Sequence, residues 1–143
     1  MPEQGKRITG QTRATGFQVG ARRTFSIAHE AAWQMLTSAA GVRVWLGDAP
    51  ELEFTRGARY QLPVGTTGEV RVFSPNSHLR LTWQPPGWAR PSTIQLRTIP
   101  KGEKTVVAFH QEHMPGTKER EERRAYYLAV LDKLVEFFKL LDG

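Results

Sequence analysis

Four histidines and four tryptophans carry most of the chemistry open to this chain, because it contains no cysteine. Thiolate nucleophiles, disulfides and Cys-ligated metals are therefore absent together. The histidines are His29, His78, His110 and His113, and none is accompanied by a serine-nucleophile motif or a carboxylate spacing that sequence alone could certify as a catalytic set. The nearest approach to a metal site is HQEH at His110–His113. On a strand, residues three apart face opposite sides, so both histidines could hold one ion only if the strand has already ended there. Solvated strand-end histidines, with no catalytic residues and no metal, are the expectation. Glu112 shares a face with His110, the outer one, which suits a surface pair better than acid–base work.

Tryptophan and arginine offer binding rather than bond-making. Trp33, Trp45, Trp83 and Trp88 in one small domain suit an aromatic ligand by stacking. Trp88 lies apart, in the proline-rich loop PPGWARP, where it reads equally as a lid over a cavity mouth or as packing at a sheet end. Arg59, Arg71, Arg80 and Arg97 sit at outward positions of four consecutive strand candidates, so aligned registers would make a basic band on which an acidic protein surface could dock. Nucleic acid is an unlikely occupant, since no aromatic ladder accompanies the band apart from Phe73, also expected to face outward.

The elements that must position these residues follow from periodicity. The chain is 143 residues long, 39% hydrophobic and 24% charged, with a formal net charge of +6. That is enough for one soluble domain with one core. No apolar run is long enough to span a membrane. Met1–Gly16 is polar, without periodicity and without a signal-peptide core, and reads as a flexible arm on a cytoplasmic protein whose domain is 17–143. Phe17–Ile27 reads as a strand, followed by a poorly capped helix over HEAAWQMLTSA that Gly41 ends, with Val42–Leu46 forming a second short turn. From Glu51 the period becomes two. Arg59–Pro63, Gly68–Ser74, His78–Gln84, Ser92–Ile99 and Lys104–His113 read as strands of an antiparallel meander with short turns. Tyr60, Leu62, Val70, Val72, Leu79, Leu81, Trp83, Ile94, Leu96, Val107 and Phe109 then face inward.

Lys118–Leu141 reads as one long amphipathic helix, with Tyr127, Val130, Leu131, Leu134, Phe137, Phe138 and Leu141 on its apolar face. Its opening run KEREERR is expected to be solvated, with acids at the positive helix end and arginines, Arg123 among them, pairing with them a turn or two on. The fold class is thus α+β: a curved antiparallel sheet of six or seven strands in the order β-αα-β5/6-α, wrapped around a C-terminal helix.

This order, with the Trp33 helix, VWLG at Val44–Gly47, the GEVRVF and LRLTW strands and the helix carrying Tyr127, Leu131 and Leu134, resembles the START-related helix-grip superfamily, in particular its chaperone ATPase activator homologue-like (AHSA-like) branch. Two features depart from that pattern. Tyr127 stands where the family usually has tryptophan, and Gln111, Glu112 and His113 replace a His-Ser-Gly strand end, which puts Gln111 at an inward polar position. The resemblance implies a cavity between sheet and helix for a small hydrophobic or aromatic molecule such as a lipid or polyketide, with no cofactor. Its wall would comprise Trp33, Trp45, Leu46, Tyr60, Val72, Leu81, Trp83, Leu96, Phe109, Gln111, Tyr127, Val130 and Leu134, with Trp88 at the mouth. Gln111 and Tyr127 would fix the ligand's orientation. The alternatives implied are a protein-docking module of the chaperone-activator kind, or a small cyclase-type enzyme.

Overall fold

A computed structural model describes residues 11–12 and 16–140. Element order is β1 (Gln11–Thr12), β2 (Gly16–Phe25), α1 (His29–Thr37), α2 (Ala39–Trp45), β3 (Arg59–Gln61), β4 (Thr67–Ser74), β5 (His78–Trp83), β6 (Ser92–Lys101), β7 (Lys104–Met114) and α3 (Thr117–Lys139). One seven-stranded sheet runs β1-β2-β7-β6-β5-β4-β3, antiparallel throughout. The first long strand therefore returns to pair with the last, beneath α3. This is the helix-grip architecture expected from the element order. Most of the expected arm, and Leu141, lie outside the described residues. Gln11–Thr12 of that arm forms β1 against Phe17 and Gly16.

The core lies between the sheet's inner face and the helices. Leu79, Leu81, Ile94, Leu96 and Val107 from the strands meet Tyr127, Val130, Leu131 and Leu134 from α3, all buried. Phe109 stacks on Tyr127 with centroids 5.1 Å apart and tilts against Trp45, while the Trp45 indole donates to the Leu36 carbonyl at 2.9 Å. Aromatic bodies fill the interior while their polar edges find partners.

Three expectations change. Gly41 does not end the first helix. The break falls at Ser38, extended at the junction, whose hydroxyl accepts from the Gly41 amide and caps α2. Gly41 sits inside α2 because a Cβ there would run into the Met35 carbonyl and the Leu36 backbone. Secondly, Val72 is 37% exposed rather than inward. The β4–β5 register shifts between Val70 and Val72, so Val72 opposes outward Arg80, and Phe73, expected outside, packs against Trp33 and stacks on Phe54. Thirdly, Arg123 is not a solvated helix residue. It is buried at 9% exposure, in line with Tyr127 one turn on.

Candidate functional site

Three buried polar residues, Ser92, Gln111 and Arg123, collect at one end of the sheet, where β5 and β7 finish, β6 starts and the first turns of α3 cross above. Gln111 on β7 is fully buried. Its side-chain oxygen accepts from Arg123 Nε at 2.8 Å and from the Tyr127 hydroxyl at 2.7 Å, and its amide nitrogen donates to the Ser92 hydroxyl at 2.8 Å. Ser92 in turn donates to the Trp83 carbonyl at 2.7 Å. Arg123 Nη2 also reaches the Tyr127 oxygen at 3.2 Å.

Around this chain of bonds stand the aromatics. The Arg123 guanidinium carbon lies 4.0 Å from the ring centre of Trp83 and 4.0 Å from that of Tyr126, and 4.9 Å from that of Tyr127. Tyr126 is fixed by donating to the Trp45 carbonyl at 2.6 Å. No carboxylate forms an ion pair with Arg123 among the described residues. Its charge is balanced instead by ring faces and neutral acceptors, an arrangement that holds a cation at lower desolvation cost than an empty pocket would. Burial pushes the Tyr127 hydroxyl above the ordinary tyrosine range against the pull of Arg123, and the Tyr60 and Tyr126 hydroxyls rise mainly for the same reason. All three act as neutral hydrogen-bonding groups near neutral pH.

Outside Trp83 lies the loop joining β5 to β6. Trp88 stands edge-on to Trp83 with centroids 5.5 Å apart, and the Gln84 amide donates to the Trp88 carbonyl at 2.7 Å. Gly87 supplies the left-handed residue of this turn at φ +90°. Trp88 lines a cavity of about 610 Å3 together with Ala89, Arg90, Pro91, Met114, Pro115, His113 and Gly16. A second cavity of about 600 Å3 is polar, lined among others by Arg59, Tyr60, Glu69, Arg71 and Gln84. Volumes of this size accommodate small organic ligands.

The expected wall residues divide accordingly. Trp33, Trp45, Leu46, Leu81, Leu96 and Phe109, with Val130 and Leu134 of α3, are packed in the core. Gln111, Tyr127 and Trp83 meet at the Arg123 cluster, while Tyr60 and Trp88 border the two cavities and Val72 lies on the outer face. Nothing in the residue types marks Ser92 or Arg123, although the four-residue step from Arg123 to Tyr127 places those two on one helix stripe.

The opposite face of the sheet carries the arginines. Arg80 pairs with Glu112 at 2.9 Å, and Arg59 and Arg71 approach Glu69 at 3.8 and 3.9 Å, so carboxylates interleave with the band. His110 and His113 lie 3.8 and 3.5 Å from that same Glu112. They share it because His113 adopts φ 68° where β7 carries an extra residue against β2, between the Phe17–Met114 and Val19–Gln111 pairs. The bulge thus interrupts the alternation while β7 continues to Met114. Among the described residues no cluster of three metal-binding side chains occurs, and no helix is long and apolar enough to cross a membrane.

A family model described as Activator of Hsp90 ATPase homolog 1-like protein matches residues 26–139. No curated relative matches by sequence. Among solved structures, CalU16 from Micromonospora echinospora is 17% identical with a TM-score of 0.75, over 85% of this chain and 75% of that one. Protein MLL2253 from Mesorhizobium loti is 21% identical with a TM-score of 0.71, over 87% and 96%. PFC0360w, an HSP90 activator from Plasmodium falciparum, is 19% identical with a TM-score of 0.59, over 70% and 75%. At such identities the likeness is one of fold.

Proposed function

For this chain, which belongs to the Activator of Hsp90 ATPase homolog 1-like family, we propose non-covalent binding of a small apolar or aromatic molecule at the α3 end of the sheet. The observation that carries the reading is the succession from the cavity of about 610 Å3 through Trp88 to Trp83 and then Arg123. Apolar walls contributed by Met114, Pro91 and Pro115 would hold the ligand's body, and the ring of Trp88 would cover it. The ligand position moves away from the space between sheet and helix, which Trp45, Phe109, Tyr127 and Leu134 fill. Titrating the protein with naphthalene-type compounds while following tryptophan emission tests this. Saturable quenching that weakens in Trp88→Ala supports the site, whereas saturable quenching unaffected by the substitution places the ligand elsewhere.

A second reading is docking to a protein partner through the outer face of Arg59, Arg71, Arg80 and Arg97. The family's description and the likeness to an HSP90 activator favour it. Three of these arginines already face Glu69 or Glu112, which weakens their pull on an acidic partner. The double reversal Arg71→Glu, Arg80→Glu separates the readings, since it alters the outer face and leaves the Trp88 cavity untouched. Unchanged partner binding in that variant would exclude the band.

A further inference from the structure

Resting on the ligand-binding reading above, we propose that the site selects an acidic ligand, a small aromatic or apolar molecule whose carboxylate is received by the Arg123 guanidinium. A buried arginine whose role is structural is ordinarily matched by a carboxylate, because an unneutralised cation is costly away from water. Arg123 is nine-tenths buried and has no such partner among the described residues. Its two bonds go to neutral oxygens, through Nε to Gln111 and Nη2 to Tyr127, and Nη1, which is not fully buried, has no protein partner among the described residues.

Geometry narrows what can complete it. The ring centres of Trp83 and Tyr126 each lie 4.0 Å from the guanidinium carbon and that of Tyr127 4.9 Å, so an anion is expected at the edge that Nη1 and Nη2 present. That edge is the fork which a carboxylate meets with two parallel hydrogen bonds. Arg120, one turn earlier on α3, adds positive charge at the same end of the sheet. Among the described residues its Nη1 is buried without a partner, and its ion pair is to exposed Glu121 at 3.0 Å. The way in would run past Trp88, which stands edge-on to Trp83 and borders the cavity that Arg90, Pro91, His113, Met114 and Pro115 also line. An acid with an aromatic body would thus satisfy the ring surfaces and the free edge together, and a swing of Trp88 would admit it.

Matched probes test the inference, namely naphthoate and its neutral amide naphthamide, titrated near neutral pH by calorimetry against the wild-type protein and Arg123→Met. The wild type is expected to bind naphthoate about tenfold more tightly or better, with the ratio falling towards one in Arg123→Met. Equal affinities in the wild type, or a ratio that survives the substitution, would overturn acid selection while leaving the ligand-binding reading in place. Failure of both probes to bind the wild type would remove that reading and this inference with it. If Arg123→Met does not fold, equal wild-type affinities still overturn the inference, and Arg90→Met, which removes the cation lining the cavity, should leave the preference in place; loss of the preference in Arg90→Met would assign it to Arg90 and overturn the inference.

Discussion

The guanidinium carbon of Arg123 lies 4.0 Å from the centre of the Trp83 ring, and the centre of the Tyr126 ring lies at the same distance. Residues of α3 and β5 thereby surround the cation with ring surface. Its Nε is held by Gln111, whose removal has a predictable cost.

Gln111→Leu deletes the acceptor shared by Arg123 and Tyr127 and leaves Ser92 without its donor. With buried donors orphaned, one of them charged, the loss of stability is expected at about 2–4 kcal/mol. Gln111→Glu instead places a carboxylate against the guanidinium. It should destabilise less than Gln111→Leu and abolish any preference for acidic ligands. Urea unfolding of both variants, with the naphthoate–naphthamide ratio of the second, checks the pair of outcomes.

Gly41→Ala drives a methyl group into the Met35 carbonyl, where backbone rather than a pliable side chain must give way. Overpacking of this kind costs about 1–3 kcal/mol. Thermal unfolding should show the loss, and an unchanged midpoint would mean that the α1–α2 junction has freedom to move.

Acid should destabilise the fold through the outer face. Burial holds the His110 imidazole below the usual histidine range despite the opposing pull of Glu112, and His78 is lowered by burial, Arg97 and Arg80. Below about pH 6.5 the unfolded chain takes up protons that the folded one does not, so stability falls as pH drops through that value towards the lower folded pKa. His110→Asn should flatten this dependence between about pH 7 and about pH 5. Urea midpoints with the same slope in wild type and variant would count against it.

Trp88→Ala is expected to cost about 1–2 kcal/mol, less than a fully buried tryptophan would, since the side chain sits on a loop against Trp83 and is only partly buried. Ligand affinity should drop about tenfold, as for an anchor at the centre of a contact. The same denaturation and calorimetric titrations read both quantities.

Most of the architecture was legible in the sequence because hydrophobic period reports which face is buried. The five meander strands fall within a few residues of where alternation puts them, and Tyr127, Val130, Leu131 and Leu134 share the buried side of α3. The exceptions are places where tertiary context inserts or removes a residue from the count. Bulges in β4 and β7 reverse Val72 and Phe73 and bring His113 round to Glu112, and no local residue type announces either one. Arg123 escaped for another reason. Charge led it to be grouped with its solvated neighbours, although helical spacing aligned it with Tyr127, and only the sheet end supplies the rings and Gln111 that make burial tolerable. Of the site, Trp83, Trp88, Gln111 and Tyr127 were identifiable as residues, but their convergence at one end of the sheet is a property of the fold.

The central claim, a small-molecule site beneath the β5–β6 loop, is tested most directly by mapping amide and indole shifts in a heteronuclear NMR titration with naphthoate. Saturable shifts centred on Trp83, Trp88, Met114 and the Arg123 side chain, with little change at Arg71 and Arg80, are the predicted result. Absence of any saturable shift, or shifts confined to the outer arginine face, would contradict it.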